Sequence, residues 1–205
     1  MIALIDYGIG NLRSVQKALE HVGAEVCLTE DPQVILSADK VVLPGVGAFG
    51  DGMKGLRARG LVVVVQTVAA RGTPLLGICV GMQVLFEVGE EMGQRPGLGI
   101  LPGHVRPFPI SDSPIPNLKI PQTGWNQIEP CSAHPLFTGL PHGAYAYFNH
   151  GYYCAAAPEH TLALTDYGGH YPSIVGRERV YGIQFHPEKS QHIGLLLLKN
   201  FVERG

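Results

Sequence analysis

Residues 74–87 read PLLGICVGMQVLFE and set one thiol, Cys79, between Gly77 and Gly81, directly after an apolar run. A cysteine that only fills core volume has no need of glycine two residues away on both sides. One that must project from a tight strand-to-helix turn does. Small neighbours let strand and helix approach without Cβ clashes while the central residue takes a strained backbone with φ > 0. The G-x-nucleophile-x-G spacing is that of a nucleophile elbow. A sulfur there stands at the N-terminus of a helix beginning near Val80, where the helix dipole lowers a thiol's pKa and free N–H groups can meet an oxyanion. The alternative is a buried structural cysteine in a glycine-rich turn.

A cysteine nucleophile needs a base, and the base needs an orienting carboxylate. The segment YGIQFHPEKS near the C-terminus supplies both types. His186 and Glu188 are expected to end a strand, where residues two apart point the same way, with Pro187 stiffening the link. Taken singly, His186 reads as a surface imidazole and Glu188 as a solvated acid. Together with Cys79 they form a candidate triad.

The elements that must position these groups are legible as well. IALID is an apolar run of buried-strand type ending at Gly8 and Gly10. A helix is expected from Asn11, read as its N-cap, with Leu12, Val15, Leu19 and Val22 on one stripe and Gly23 as the stop. EVCLT is a second strand, and Asp31-Pro32 opens a second helix as N-cap and first helical position. KVVLPG is a third strand, followed by a glycine-rich loop and one helix from about Met53 to Ala70. PLLGI is a fourth strand. Alternating strands and helices with apolar strands predict an α/β fold, a mostly parallel sheet flanked by helices. From Arg95 to Pro121 prolines and glycines crowd. Short β-type runs follow (HVRPF, WNQI, YAYF, TLALT, PSIVG, VYGIQF), which add mixed β structure, and a helix from about Ser190 to Val202 closes the chain. No repeat or linker is visible, so residues 1–205 are expected to form one domain.

The composition narrows the function classes. The chain has 205 residues, enough for one sizeable core, with 45% hydrophobic and 16% charged residues. A formal net charge of -2 and the lack of a basic patch interleaved with aromatics give no reason to expect nucleic acid. The longest aliphatic runs, 61–65 and 195–198, are far too short to span a bilayer. The N-terminus carries no basic n-region, so it reads as a strand and not a signal peptide. Four scattered cysteines without a C-x-x-C pair argue for free thiols in a reducing, cytoplasmic compartment and against a zinc site.

GICVGMQVLFE, PGVGAFGDGM and QFHPEKS resemble the signatures of class I (triad) glutamine amidotransferases, and the similarity runs from Met1 to the C-terminal helix. IDYGIGNLRSV, PGVGAF and GWN narrow the resemblance to the glutaminase subunits of imidazole glycerol phosphate synthases, in histidine biosynthesis. The resemblance implies that Cys79 attacks the side-chain amide of L-glutamine, that His186 acts as base and then acid, and that Glu188 orients the imidazole. It implies an oxyanion site made by the N–H of Val80 with Val46 and Gly47, on a glycine strip 44–47 that can flip. Gln83 and Glu91 match glutamine-binding positions, and backbone groups around Asn149 and His150 match the site of the substrate α-carboxylate. The implied partner is a (β/α)8-barrel cyclase that receives the ammonia and makes imidazole glycerol phosphate and an aminoimidazole carboxamide ribotide. Trp125, Tyr147 and Lys189 match its interface. No cofactor and no metal is implied.

The chain departs from the family pattern at Gln122, Thr123, Asn149 and Gly151. Rival readings are a phosphate-cradling loop at 44–52, which lacks the G-K-[ST] ending, and an anthranilate-type glutaminase, which tends to carry proline where Val46 stands. A non-catalytic subunit of the same fold and a hydrolase acting alone complete the alternatives.

Overall fold

The computed structural model describes residues 1–109 and 118–205; part of the loop-rich stretch between Arg95 and Pro121 therefore lies outside the described residues. The first half runs β1 (Ile2–Ile5), α1 (Leu12–His21), β2 (Val26–Thr29), α2 (Pro32–Ser37), β3 (Lys40–Gly45), α3 (Phe49–Ala58), α4 (Leu61–Ala70), β4 (Leu75–Cys79) and α5 (Val80–Gln83). The second half is strand-rich: β5 (Phe86–Gly89), β6 (Arg95–Pro96), β7 (Leu101–Pro107), β8 (Gln122–Gln127), β9 (Glu129–Pro130), β10 (Tyr145–His150), β11 (Tyr152–Ala155), β12 (Thr161–Asp166), β13 (His170–Arg177) and β14 (Val180–Ile183). Helix α6 (Gln191–Arg204) closes the chain.

The main sheet has eight strands in the order β2-β1-β3-β4-β14-β13-β12-β9. Its first five strands are mutually parallel, and the remaining pairings are antiparallel. Every residue of β1, β4 and β14 is buried, which is why these segments read as unbroken apolar runs and not as alternating ones. The rest of the second half forms a four-stranded sheet, β11-β7-β5-β6, and the β10-β8 ribbon. Helix α1 packs with α6, and α2 and α3 with α4. Among the described residues no helix is long and apolar enough to cross a membrane.

Four local expectations need correction. The single helix expected over 53–70 is two, α3 and α4, because Gly60 at φ 66° adopts the left-handed conformation that ends one and opens the next. The helix-like pattern after Cys79 lasts one turn, and β5 begins at Phe86, where pairing with β6 and β7 outweighs local propensity. Asn11 occupies the N-cap position of α1 but its side chain makes no capping bond and donates instead to Glu188. His186 and Glu188 lie beyond the end of β14, in and before a 3₁₀ turn at Pro187–Lys189, so strand parity does not align them. At Asp31 the expectation holds: Oδ1 accepts from Gln33 N at 2.8 Å, with Pro32 at the first helical position.

Candidate active site

Cys79 is the last residue of β4, and its φ of 55° and ψ of -113° lie in a region that non-glycine residues rarely adopt. The flanking glycines are required by contact. A Cβ on Gly77 would stand 2.6 Å from the Gly81 carbonyl oxygen and 2.7 Å from Met82 N. A Cβ on Gly81 would run into the Leu43 carbonyl of β3. Strand β4 sits between β3 and β14, and Gly45 is registered against Cys79. Whatever follows β3 and β14 is thereby delivered beside the thiol, at the carboxyl ends of parallel strands where sites in open α/β sheets form.

After β14 the chain brings His186, whose Nδ1 lies 3.0 Å from Glu188 Oε1, both side chains almost wholly buried. A turn started by Pro187 folds the carboxylate back onto the ring. Burial pushes the His186 pKa down, but the Cys79 sulfur and the Glu188 carboxylate beside the ring outweigh it and raise the value to about 9. No hydrogen bond of good geometry joins the Cys79 sulfur to the ring in this structure; Gln184 Nε2 approaches Sγ at 3.9 Å instead. Looseness of this kind is usual before substrate tightens a site.

Two residues that sequence reasoning missed hold this cluster. Asn11 Nδ2 donates to Glu188 Oε1 at 3.3 Å. Gln184 Oε1 accepts from Gln83 Nε2 at 3.2 Å while its own amide faces the sulfur. A glutamine inside the otherwise apolar run VYGIQF was the available signal for Gln184. Asn11 carried none beyond its reading as a cap.

A cleft of about 510 Å³ gathers Val46, Gly47, Cys79, Val80, Gln83, Glu91, Asn149, His150, His186 and Lys189, ten of the thirteen residues singled out in the sequence. Glu188 stands behind His186, and Trp125 and Tyr147 lie outside the cleft. Gln83 is buried, with its amide donating to Tyr152 O as well as to Gln184. The Glu91 carboxylate accepts from Phe49 N at 2.7 Å, at the start of α3, which fixes its reach into the cleft. Neither the Val46 nor the Gly47 amide has a hydrogen-bond partner among the described residues, and Gly47 lies at φ 92°. His150 is buried, and burial lowers its pKa to about 4, so the ring is neutral; it bonds Tyr152 O at 2.8 Å and Tyr171 Oη at 3.2 Å. Its imidazole is thus committed to structure. A second depression, about 700 Å³, shares Glu91, lies against α3 and is lined by no cysteine, serine or threonine.

Two of the departures from the family pattern are coupled. Thr123 and Asn149 are cross-strand partners of β8 and β10, joined by a 3.2 Å Oγ1–Oδ1 hydrogen bond. Gln122 is buried and accepts from Tyr171 Oη at 2.8 Å. On the surface near the cleft, Trp125 is 48% exposed and its ring lies 6.1 Å from that of Tyr147, edge to face. Lys189 Nζ sits 5.8 Å over the Tyr147 ring.

Comparison with known proteins gives the family. The chain belongs to the glutamine amidotransferase class-I family, whose model matches residues 3–204. It is 53% identical over 201 residues to the imidazole glycerol phosphate synthase subunit HisH of Symbiobacterium thermophilum, covering 98% of this chain and 92% of that one. It is 51% identical over 204 residues to the same subunit of Salinibacter ruber, covering 98% and 94%. Among solved structures, PurLQS from Thermotoga maritima is similar with a TM-score of 0.74 at 20% identity, covering 98% of this chain and 96% of that one, a likeness of fold. Within the family, the chain belongs with the HisH glutaminase subunits.

Proposed function

We propose that residues 1–205 act as one glutaminase domain in which Cys79, His186 and Glu188 form the catalytic triad. The observation that carries this is the buried 3.0 Å pair of His186 and Glu188 beside a cysteine held at φ 55°. With its pKa raised to about 9, the His186 imidazole is suited to take the thiol proton as the sulfur attacks and to return it when the thiol re-forms. The sulfur attacks the side-chain amide carbon of glutamine, and the carbonyl oxygen takes up negative charge. Val80 N–H and an amide of the Val46–Gly47 strip face that oxygen. His186 gives its proton to the amide nitrogen, the C–N bond breaks and ammonia leaves, with a γ-glutamyl thioester remaining on Cys79. Water then attacks the thioester while His186 takes its proton back, and glutamate is released with the thiol regenerated. Gln83, Glu91 and the backbone at Asn149 and His150 hold the amino-acid end of the substrate.

Free ammonia protonates in neutral water and stops being a nucleophile, so the product must pass directly to its user. The HisH relatives are named as subunits of imidazole glycerol phosphate synthase. On that ground the user is a (β/α)8-barrel cyclase, and the ring-forming lyase step belongs to that partner. Trp125, Tyr147 and Lys189 form the contact surface, in keeping with the exposure of Trp125 beside a half-buried Tyr147. Four free cysteines suit a reducing, cytoplasmic setting. Glutamate release by the purified chain, with and without the cyclase, tests the reading. Turnover is expected to be slow alone, strongly stimulated by the partner, and abolished in Cys79→Ala. Wild-type turnover in that variant defeats the catalytic assignment, and fast turnover independent of the partner defeats the subunit assignment.

A further inference from the structure

Tyr7, two residues after β1, is wholly buried, and its hydroxyl has no hydrogen-bond partner among the described residues. Bare hydroxyls at such depth are rare, because the lost water bond is not replaced. The group is also fixed in place. Arg59 Nη1 donates to the Tyr7 carbonyl at 3.0 Å, and a Cβ on Gly55 would run into that same carbonyl. Its position is specific: a Cβ on Gly45 would stand 2.6 Å from Tyr7 Oη. The hydroxyl therefore abuts the backbone of the residue registered against Cys79, immediately before the two amides that also lack partners. Burial pushes the phenol pKa up, so Tyr7 stays protonated and remains a donor.

A peptide plane that turns its N–H toward a substrate oxygen turns the preceding carbonyl the opposite way. For the Gly45–Val46 peptide that carbonyl belongs to Gly45, and it swings on a Cα to which no side chain is attached. A carbonyl oxygen lies about 2.4 Å from its own Cα by standard bond lengths, so rotation at Gly45 sweeps it through hydrogen-bonding range of a hydroxyl in van der Waals contact with that Cα. Without a donor on that side, the turned carbonyl would be buried bare.

We propose that Tyr7 is a positioning residue for the oxyanion strip, its hydroxyl donating to the Gly45 carbonyl in the peptide orientation that presents the Val46 N–H to the tetrahedral intermediate. The inference rests on the glutaminase reading above. It explains an unpaired hydroxyl in one orientation of the strip by the bond it makes in the other.

Tyr7→Phe tests it, since the ring packing is kept and only the oxygen is lost. Glutamine turnover is measured with the cyclase subunit present, alongside the rate of Cys79 alkylation by iodoacetamide and the thermal midpoint. Alkylation needs the thiolate but forms no oxyanion. The expected result is a kcat lower by about tenfold or more, toward the roughly 10²–10³-fold cost of losing an oxyanion donor. KM and the alkylation rate stay within about twofold, and the thermal midpoint is unchanged or higher because an unpaired buried group has gone. A kcat within about twofold of wild type overturns the proposal, and so does a loss of turnover matched by slower alkylation or a lower midpoint. Cys79→Ala, run in parallel, keeps the two claims apart: turnover surviving there defeats the glutaminase reading, whereas a normal Tyr7→Phe alone defeats only this one.

Discussion

At Cys79 and His186 the backbone and the charges act on one another. The left-handed φ of 55° at Cys79 is held because β4 is buried on all sides and the turn after it is packed against β3. His186 keeps its proton because Cys79 and Glu188 both favour the charged ring over the opposing effect of burial. The sign of the linkage follows. A histidine whose folded pKa is raised above its unfolded value of about 6.5 stabilises the fold fully at lower pH, and loses that contribution as pH rises toward about 9. Folding stability of the chain should therefore decline between those two values, measurable as a denaturant midpoint across pH. In the proposed mechanism the leaving ammonia needs the same proton, so kcat/KM should fall above about pH 9, as a property of the coupled cysteine–histidine pair. In Glu188→Gln one of the two raising influences is gone, and the alkaline limb should move to lower pH. An unmoved limb would show that the carboxylate does not set the base.

Two glycines separate the effects that hold the elements in place. Gly60 takes φ 66° and a Cβ there would meet nothing within 4 Å. Gly60→Ala should therefore cost about 1–2 kcal/mol, the left-handed penalty alone, and leave turnover unchanged. A Cβ on Gly81 instead meets the Leu43 carbonyl, backbone that cannot swing aside. Gly81→Ala should cost at least the roughly 1–3 kcal/mol of an overpacked core and should also lower turnover by displacing the turn that carries Cys79. Urea midpoints and glutamate release measure both. At this scale the sequence carried the parallel half well, because buried parallel strands leave continuous apolar runs that need no partner to be recognised. It carried the second half poorly: β5 lies in a segment with helical periodicity, and its identity depends on β6 and β7, which no local signal names. The alignment of His186 with Glu188 was anticipated for an incorrect reason, since a proline-started turn does what strand parity was expected to do.

Across the whole molecule, the site exists because three strand ends distant in sequence are adjacent in the sheet, an order that composition and periodicity do not encode. The motif residues could be named in advance, but Asn11 and Gln184, which touch Glu188 and Cys79, could not, because their roles arise only once β1, β4 and β14 are packed together. The exposed Trp125 belongs to the same scale. Trp125→Ala should leave the stability of the free chain within about 0.5 kcal/mol, as surface changes usually do, yet weaken cyclase binding by the roughly 2 kcal/mol or more typical of a central aromatic anchor. Titration of partner-stimulated turnover measures that shift, and an unchanged midpoint would remove Trp125 from the interface.

The backbone of Tyr147 is bolted to the turn that carries the imidazole. His186 N donates to Tyr147 O at 2.9 Å, Tyr147 N donates to Ser190 Oγ at 2.9 Å, and that hydroxyl donates to His186 O at 2.7 Å. These three links form a short closed truss between a half-exposed ring and a buried one. A contact made on the surface beside Trp125 is therefore one backbone hydrogen bond away from His186.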